Sequence, residues 1–215
     1  MAEDLIRTVV VVAGGPDLPQ APVLPPNIAV IAADGGAEHA RRLGLRVDRV
    51  VGDLDSLPRA AADALACVGV AIERHPVDKD KTDFELALEA ALALEPGRVV
   101  VVGSATGRLD HVLGQLTVLT SEFLSGVELD AFLGPAVLHV VRTRRVLHGR
   151  PGELVSLFAL PGPASGVTTA GLEYPLDAET LPAGVGRGVS NVFTAERAEI
   201  TVTDGVVLVV RPGLS

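Results

Sequence analysis

The chain has 215 residues, 48% of them hydrophobic and 21% charged, with a mean hydropathy of +0.40; this describes a soluble chain able to bury a large core and excludes disorder. With 27 acidic against 18 basic residues the net charge is -9, which repels a phosphate backbone or an anionic lipid surface and argues against general nucleic-acid or membrane binding. One cysteine, Cys67, excludes an internal disulfide and a cysteine-cluster metal site. Its neighbours Ala66 and Val68 read as a buried helix face, and a reducing compartment fits. Glu3 and Asp4 precede the first apolar run, and no apolar stretch approaches the ~18 residues of a membrane span, so a cytoplasmic protein is expected.

Length allows one large domain or two modest ones. In chain order, short apolar runs stand at residues 9–12, 28–32, 49–51, 70–72, 99–102 and 129–132, each bounded by Gly, Asp or Pro. Their continuous apolar character marks strands buried on both faces, and helical patterns separate most of them, so a parallel α/β sheet is predicted. Residues 16–26 hold five of the 15 prolines and read as a surface loop. Helices are predicted at 37–43, closed by Gly44, and at 57–67, with Ser56 as N-cap. A third is predicted over 82–95, where Thr82 and Glu85 form a capping-box pattern, Phe84, Leu88, Ala91 and Leu92 share a face, and Pro96-Gly97 stops it. A fourth is expected over 109–123.

After Gly134 the rhythm becomes all-β. Alternation marks 137–141, 154–158 and 200–202, and a tight Asp204-Gly205 turn leads into 206–210. We therefore expect an α/β domain over residues 1–134 and a small antiparallel β-sandwich over 135–215, with no long helix after Phe123.

The acidic and glycine-rich turns occupy particular places. Gly14-Gly15, Asp34-Gly35-Gly36, Gly52-Asp53-Leu54-Asp55, residues 78–83 and residues 103–110 follow predicted strands. The carboxyl ends of parallel strands share one sheet edge, where open α/β sheets bind ligands. So many carboxylates in one cleft call for cations, and hard oxygen donors without clustered cysteine or histidine point to Mg²⁺ accompanying substrate phosphates.

In Gly52-Asp53-Leu54-Asp55-Ser56, two carboxylates at i and i+2 on extended backbone point the same way and suit a metal, although Asp55 and Ser56 also make an ordinary turn and cap. In Asp78-Lys79-Asp80-Lys81-Thr82-Asp83, Thr82 and Asp83 suit a helix start, whereas Lys79 and Lys81, the only lysines of the chain, suit phosphate oxygens as well as a solvated charge run. Gly103-Ser104-Ala105-Thr106-Gly107-Arg108-Leu109-Asp110-His111 offers backbone amides and Arg108 as a phosphate cradle, without matching the P-loop or dinucleotide fingerprints. His39, His75, His139 and His148 have no ligand-like spacing and read as structural or exposed. No nucleophile elbow supports acyl chemistry.

Taken in order, Ala33-Asp34-Gly35-Gly36-Ala37, Gly52-Asp53-Leu54-Asp55-Ser56, Lys81-Thr82-Asp83-Phe84, Gly107-Arg108-Leu109-Asp110-His111 and Gly188-Val189-Ser190-Asn191 resemble the thiamin pyrophosphokinase family over nearly the whole chain. Val155-Ser156-Leu157 and Gly171-Leu172-Glu173-Tyr174-Pro175-Leu176 are similar to that family's β-domain segments. The resemblance implies a homodimer that moves a diphosphoryl group from ATP to thiamin with Mg²⁺, its site shared between subunits. It implies Asp53, Asp55 and Asp83 as metal-binding and catalytic residues, joined in catalysis by Arg108 and Asp110. ATP would be held by Asp34, Gly35, Lys79, Lys81, Thr82, Gly107 and Arg108, and thiamin by Ser190, Asn191 and Asp110. Thr106 departs from a second glycine of the family, Gln115 from an asparagine, and Val192 from a glutamate. With no tryptophan, ring stacking on thiamin falls to Phe193, Tyr174 or aliphatic side chains. The alternatives are a diphosphokinase for another hydroxymethyl heterocycle such as a pterin, an Mg²⁺-dependent phosphohydrolase, and a non-enzymatic nucleotide or thiamin sensor.

Overall fold

The computed structural model describes residues 8–17, 22–54 and 59–213, the side chains of 59–62 excepted, and divides into two compact units. Residues up to Gln115 together with Gly126–Gly134 form the first unit, and Leu116–Ser125 with Pro135–Ser215 the second.

The first unit is built on six parallel strands: β1 (Thr8–Ala13), β2 (Ala29–Ala33), β3 (Arg49–Gly52), β4 (Ala71–Arg74), β5 (Arg98–Gly103) and β6 (Glu128–Leu133), in the order β6-β5-β1-β2-β3-β4. All six predicted runs are strands. The central β1 and β5 are valine-rich and buried except for Arg98 at the start of β5, because helices cover the sheet and leave no solvent face to ask for alternation. β4 at the edge is the most exposed of the six, as its Ala-Ile-Glu-Arg composition shows, and β6 exposes Glu128 at its start.

Four helices accompany the sheet: α1 (Gly36–Arg42), α2 (Arg59–Cys67), α3 (Asp83–Leu92) and α4 (Leu109–Leu119). Helix α3 carries the predicted capping box, with the Glu85 amide donating to Thr82 Oγ1 at 3.2 Å and the Thr82 amide donating to Glu85 Oε2 at 2.9 Å. It buries Phe84, Leu88 and Ala91, as the periodicity predicts. Two expectations need correction. Helix α4 stops at Leu119, four residues early, and a short 3-10 turn over Glu122–Leu124 contains Phe123. The side chain of Arg142 donates to the Thr120 and Ser121 carbonyls at 3.1 and 2.6 Å, satisfying groups that follow this helix end. The end of α2 is also not a buried face: Ala66, Cys67 and Val68 are exposed, since this edge helix has little sheet to cover.

The second unit is a sandwich of two antiparallel sheets. One contains β7 (Ala136–Val141), β9 (Leu154–Ala159), β12 (Asn191–Val192) and β14 (Val207–Arg211), in the order β12-β9-β14-β7. The other contains β8 (Arg144–His148), β10 (Ala164–Ala170), β11 (Glu179–Leu181) and β13 (Arg197–Thr201), in the order β11-β10-β13-β8. Val155, Leu157, Val207 and Val209 of the first sheet share one core with Leu147, Val167, Ala198 and Ile200 of the second. The Asp204-Gly205 turn is not a hairpin turn. It carries the chain from β13 in one sheet to β14 in the other, so the two flanking strands do not pair. Among the described residues no helix is long and apolar enough to cross a membrane.

Candidate functional site

The turns that leave β1, β2, β3, β5 and β6 lie at the carboxyl edge of the parallel sheet. They pack closely. A Cβ on Gly14 would stand 3.3 Å from the Gly35 carbonyl carbon, so the turns after β1 and β2 touch backbone to backbone. Asp34, held at φ +42° with its amide donating to the Val51 carbonyl at 2.9 Å, turns toward the end of β3. There a Cβ on Gly52, which sits at φ +154°, would stand 3.1 Å from Asp34 Cβ and 3.1 Å from Asp83 Oδ1. Glycine at 52 is what lets these two acidic residues close on the strand end.

Lys79 joins this group. Its Nζ lies 3.0 Å from Asp83 Oδ1 and 3.6 Å from Asp53 Oδ2, and also donates to the Pro76 carbonyl at 3.0 Å. Burial works against the ammonium charge, yet the close Asp83 contact and the charges of Asp83 and Asp53 outweigh it and lift the Lys79 pKa above the ordinary lysine range. A cation held by oxygens from three directions shows that the space between Asp53 and Asp83 favours positive charge. The carboxylates therefore suit a hard divalent ion in donor type and charge. Among the described residues no group of three or more Asp, Glu, His or Cys side chains is gathered as a metal centre, and Asp55 lies outside the described residues, as does Ser56.

The two lysines part company. Lys81 Nζ pairs with Glu89 Oε1 at 2.5 Å on the exposed side of α3, away from the Lys79 partners. Thr82 is engaged as the α3 cap, its hydroxyl also donating to Glu85 Oε2 at 2.9 Å.

At the start of α4, Arg108 Nη2 donates to Asp110 Oδ2 at 2.6 Å, and both side chains are exposed. The hydrogen bond to Arg108 holds the Asp110 carboxyl below its usual range, and the same bond raises the Arg108 pKa. Gly107 sits at φ +100°, and His111 is exposed beside this pair, its amide donating to Asp110 Oδ1 at 3.0 Å. Gln115 Oε1 is buried without a hydrogen-bond partner among the described residues, and a Cβ on Gly103 would stand 3.5 Å from it.

In the second unit the family-like segments converge. Asn191 pairs with Val155, the Ser190 amide donates to Ser156 Oγ at 3.1 Å, and Asn191 bonds the backbone of Tyr174. Ser190 is exposed in the left-handed region at φ +59°, whereas Asn191 is buried. Of the aromatic candidates for stacking, Phe193 is excluded: it is 1% exposed in the sandwich core, against Gly149 and beneath the Arg211 guanidinium at 5.6 Å. Tyr174 is 61% exposed and remains available. Sequence reasoning missed Asp17, which bonds the loop after β5. A lone Asp in a proline-rich stretch gives no local signal, because its partners lie nearly ninety residues away.

A parallel sheet whose carboxyl edge carries carboxylates, a lysine and a glycine-rich loop, in one chain with a β-sandwich, offers the charges and backbone amides that phosphate-bearing ligands require. The model of the thiamin pyrophosphokinase catalytic domain matches residues 23–129, and that of the thiamin pyrophosphokinase vitamin B1 binding domain matches residues 138–207. The chain belongs to the thiamin pyrophosphokinase family and is an enzyme of that type, moving a diphosphoryl group from ATP to thiamin. It is 22% identical to the thiamine pyrophosphokinase of Bacillus subtilis (strain 168) over 219 residues, covering 96% of this chain and 99% of that one. Against thiamine pyrophosphokinase 1 of Oryza sativa subsp. japonica it is 25% identical, covering 80% and 74%. The crystal structures of the Bacillus subtilis enzyme and of a thiamin pyrophosphokinase family protein from Enterococcus faecalis share the fold, each with a TM-score of 0.82, at 21% and 24% identity. Each comparison covers 97% of this chain and 100% of the other.

Proposed function

We propose that this chain performs the transfer with its acidic strand-end turns holding Mg²⁺ and ATP, and with the β-sandwich presenting thiamin. The observation that carries the reading is the Lys79 ammonium held between Asp53 and Asp83 at the carboxyl edge of the sheet. Asp53, Asp55 and Asp83 are the metal-binding carboxylates. Bound Mg²⁺ supplies neutralisation of charge on the transferred phosphate oxygens. Asp34, Gly35, Lys79, Lys81, Thr82, Gly107 and Arg108 serve ATP, with Arg108 exchanging Asp110 for phosphate. Ser190 and Asn191 serve thiamin, Asn191 by fixing Tyr174, and Asp110 faces the acceptor.

Thiamin's primary hydroxyl attacks the β-phosphorus of ATP, the bond to the α-phosphate oxygen breaks, and AMP leaves. The hydroxyl proton passes to solvent or to a carboxylate of the cleft. Positioning and charge neutralisation carry most of such a reaction, so a dedicated base is not required.

Residues 1–134 are the catalytic domain in this reading and 135–215 the thiamin-binding domain. The protein works as a cytoplasmic homodimer, each site taking its phosphate motifs from one subunit and Ser190-Asn191 from the other. The exposed Leu109 and Leu113 of α4, with Val185 and Val189 of the second unit, supply apolar surface for such an assembly. The exposed thiol of Cys67 suits a reducing compartment.

Purified protein with ATP, Mg²⁺ and thiamin, followed by phosphorus NMR, tests the reaction. AMP should form only with thiamin present, in step with thiamin diphosphate. Release of phosphate without thiamin, or faster turnover of a hydroxymethylpterin, would replace this reading. Mixing Asp53→Ala and Asn191→Ala proteins, at a thiamin concentration too low for Asn191→Ala to turn over by itself, tests the assembly: activity above that of either protein alone supports shared sites, and none after confirmed subunit exchange rejects them.

A further inference from the structure

Asp17 belongs to none of the motifs assigned above, yet three turns of the sheet edge are built around it. Its Oδ1 accepts a hydrogen bond from Thr106 Oγ1 at 2.8 Å and another from Ser104 Oγ. Ser104 is buried, and its Oγ in turn accepts from the Thr106 amide at 3.1 Å. The carboxylate thus ties the loop after β1 to the loop after β5 through both hydroxyls of Ser104-Ala105-Thr106.

The surrounding backbone leaves room for this tie and little else. A Cβ on Gly15 would collide with Ser104 Cβ, and one on Gly107 would stand 3.0 Å from Pro16 Cγ. On Gly134, in the turn after β6, it would stand 2.6 Å from Asp17 Oδ2. Three glycines from three turns keep clear the space that Pro16, Asp17 and Ser104 occupy. Thr106 stands where the family commonly has glycine, and in this chain its hydroxyl has a stated partner.

We propose that Asp17 is a positioning residue for the transfer: through Ser104 and Thr106 it sets the shape of the loop that ends in Gly107-Arg108, and so the placement of the ATP polyphosphate. This rests on the reading of that loop as the phosphate cradle. A loop held before ATP arrives loses less freedom on binding than one that must be ordered by it, so the tie acts on ATP rather than on thiamin.

The test compares Asp17→Ala, Asp17→Asn, Thr106→Val and Arg108→Ala by steady-state kinetics in each substrate, with thermal unfolding alongside. Asp17→Ala should raise the ATP KM about 10-fold or more, with the thiamin KM changing less than about 2-fold. Asp17→Asn retains the Oδ1 acceptor and should restore most of the loss. Thr106→Val should give part of it, and the Asp17→Ala/Thr106→Val double variant should lose less than the product of the singles. Should Asp17→Ala not fold, Asp17→Asn and Thr106→Val carry the comparison. An unchanged or lowered ATP KM in Asp17→Ala or Thr106→Val overturns the proposal, as does an equal effect on both substrates. An unaffected Arg108→Ala would instead remove the phosphate-cradle reading on which it rests.

Discussion

The side-chain amide of Asn191 holds both backbone polar groups of Tyr174: Nδ2 donates to the Tyr174 carbonyl at 2.8 Å and Oδ1 accepts from its amide at 3.0 Å. A buried amide thereby orients an exposed aromatic residue, and Oδ1 also accepts from the Val192 amide at 2.9 Å. Asn191→Ala leaves these backbone groups without their partner and should cost about 1–3 kcal/mol of stability. Its thiamin KM should rise about 10-fold or more while the ATP KM stays close to that of the parent. A variant with normal thiamin kinetics and lowered stability would make Asn191 structural only.

The lysines should behave differently. Lys79→Ala leaves Asp53 and Asp83 facing each other without the ammonium, and its use of ATP should weaken about 10-fold or more, or 1.4 kcal/mol; arginine there should rescue in part. Lys81→Ala removes an exposed pair with Glu89; its stability should change by less than about 1 kcal/mol, and its use of ATP should weaken less than that of Lys79→Ala. Calorimetric ATP binding and unfolding of both variants decide the matter.

The same lysine sets a pH dependence of stability. Because the folded-state pKa of Lys79 is raised above the ordinary 10.5, its contribution is fully present below about that pH and is lost as pH rises through the folded value. The parent protein should therefore lose more stability than Lys79→Met on titration into the alkaline range. Parallel unfolding curves would remove Lys79 as the cause.

Asp53→Ala, Asp55→Ala and Asp83→Ala should each abolish turnover with the fold retained, and Mg²⁺ titration followed by calorimetry should show weakened binding. Excess chelator should stop the parent enzyme. Full activity in any of the three, or in chelator, would remove that carboxylate or the metal from the mechanism.

Two glycines give a stability test, one at the sheet edge and one within α4. Gly36→Ala puts a Cβ against the Val12 carbonyl oxygen and should cost about 1–3 kcal/mol, with a melting temperature lower by several degrees. Gly114 in α4 has nothing within 4 Å of its Cβ position, so Gly114→Ala should stabilise by about 0.5–1 kcal/mol. In circular dichroism melts, an unchanged or raised melting temperature for Gly36→Ala would show that the turn after β2 relaxes, and a lowered one for Gly114→Ala would show that a side chain is not accommodated there.

The six parallel strands, the α3 capping box and the gathering of acidic turns at one sheet edge follow from the sequence by itself, because each depends on residues close together in the chain: an apolar run, a Thr three places before a Glu, a glycine after a valine strand. Tertiary structure alone decided the rest. Strand β8 is Arg-Arg-Val-Leu-His and β10 is Ala-Ser-Gly-Val-Thr-Thr-Ala, polar patterns that become strands by pairing, β8 with β13 and β10 with β13 and β11. Lys79 and Lys81 are alike in sequence, yet one meets Asp53 and Asp83 and the other Glu89, two turns along α3. Asp17 meets Ser104 and Thr106, and Phe193 enters the core while Tyr174 stays outside. A side chain's partner depends on which distant segments the closed sheet and sandwich bring beside it, and short-range periodicity carries no information about that.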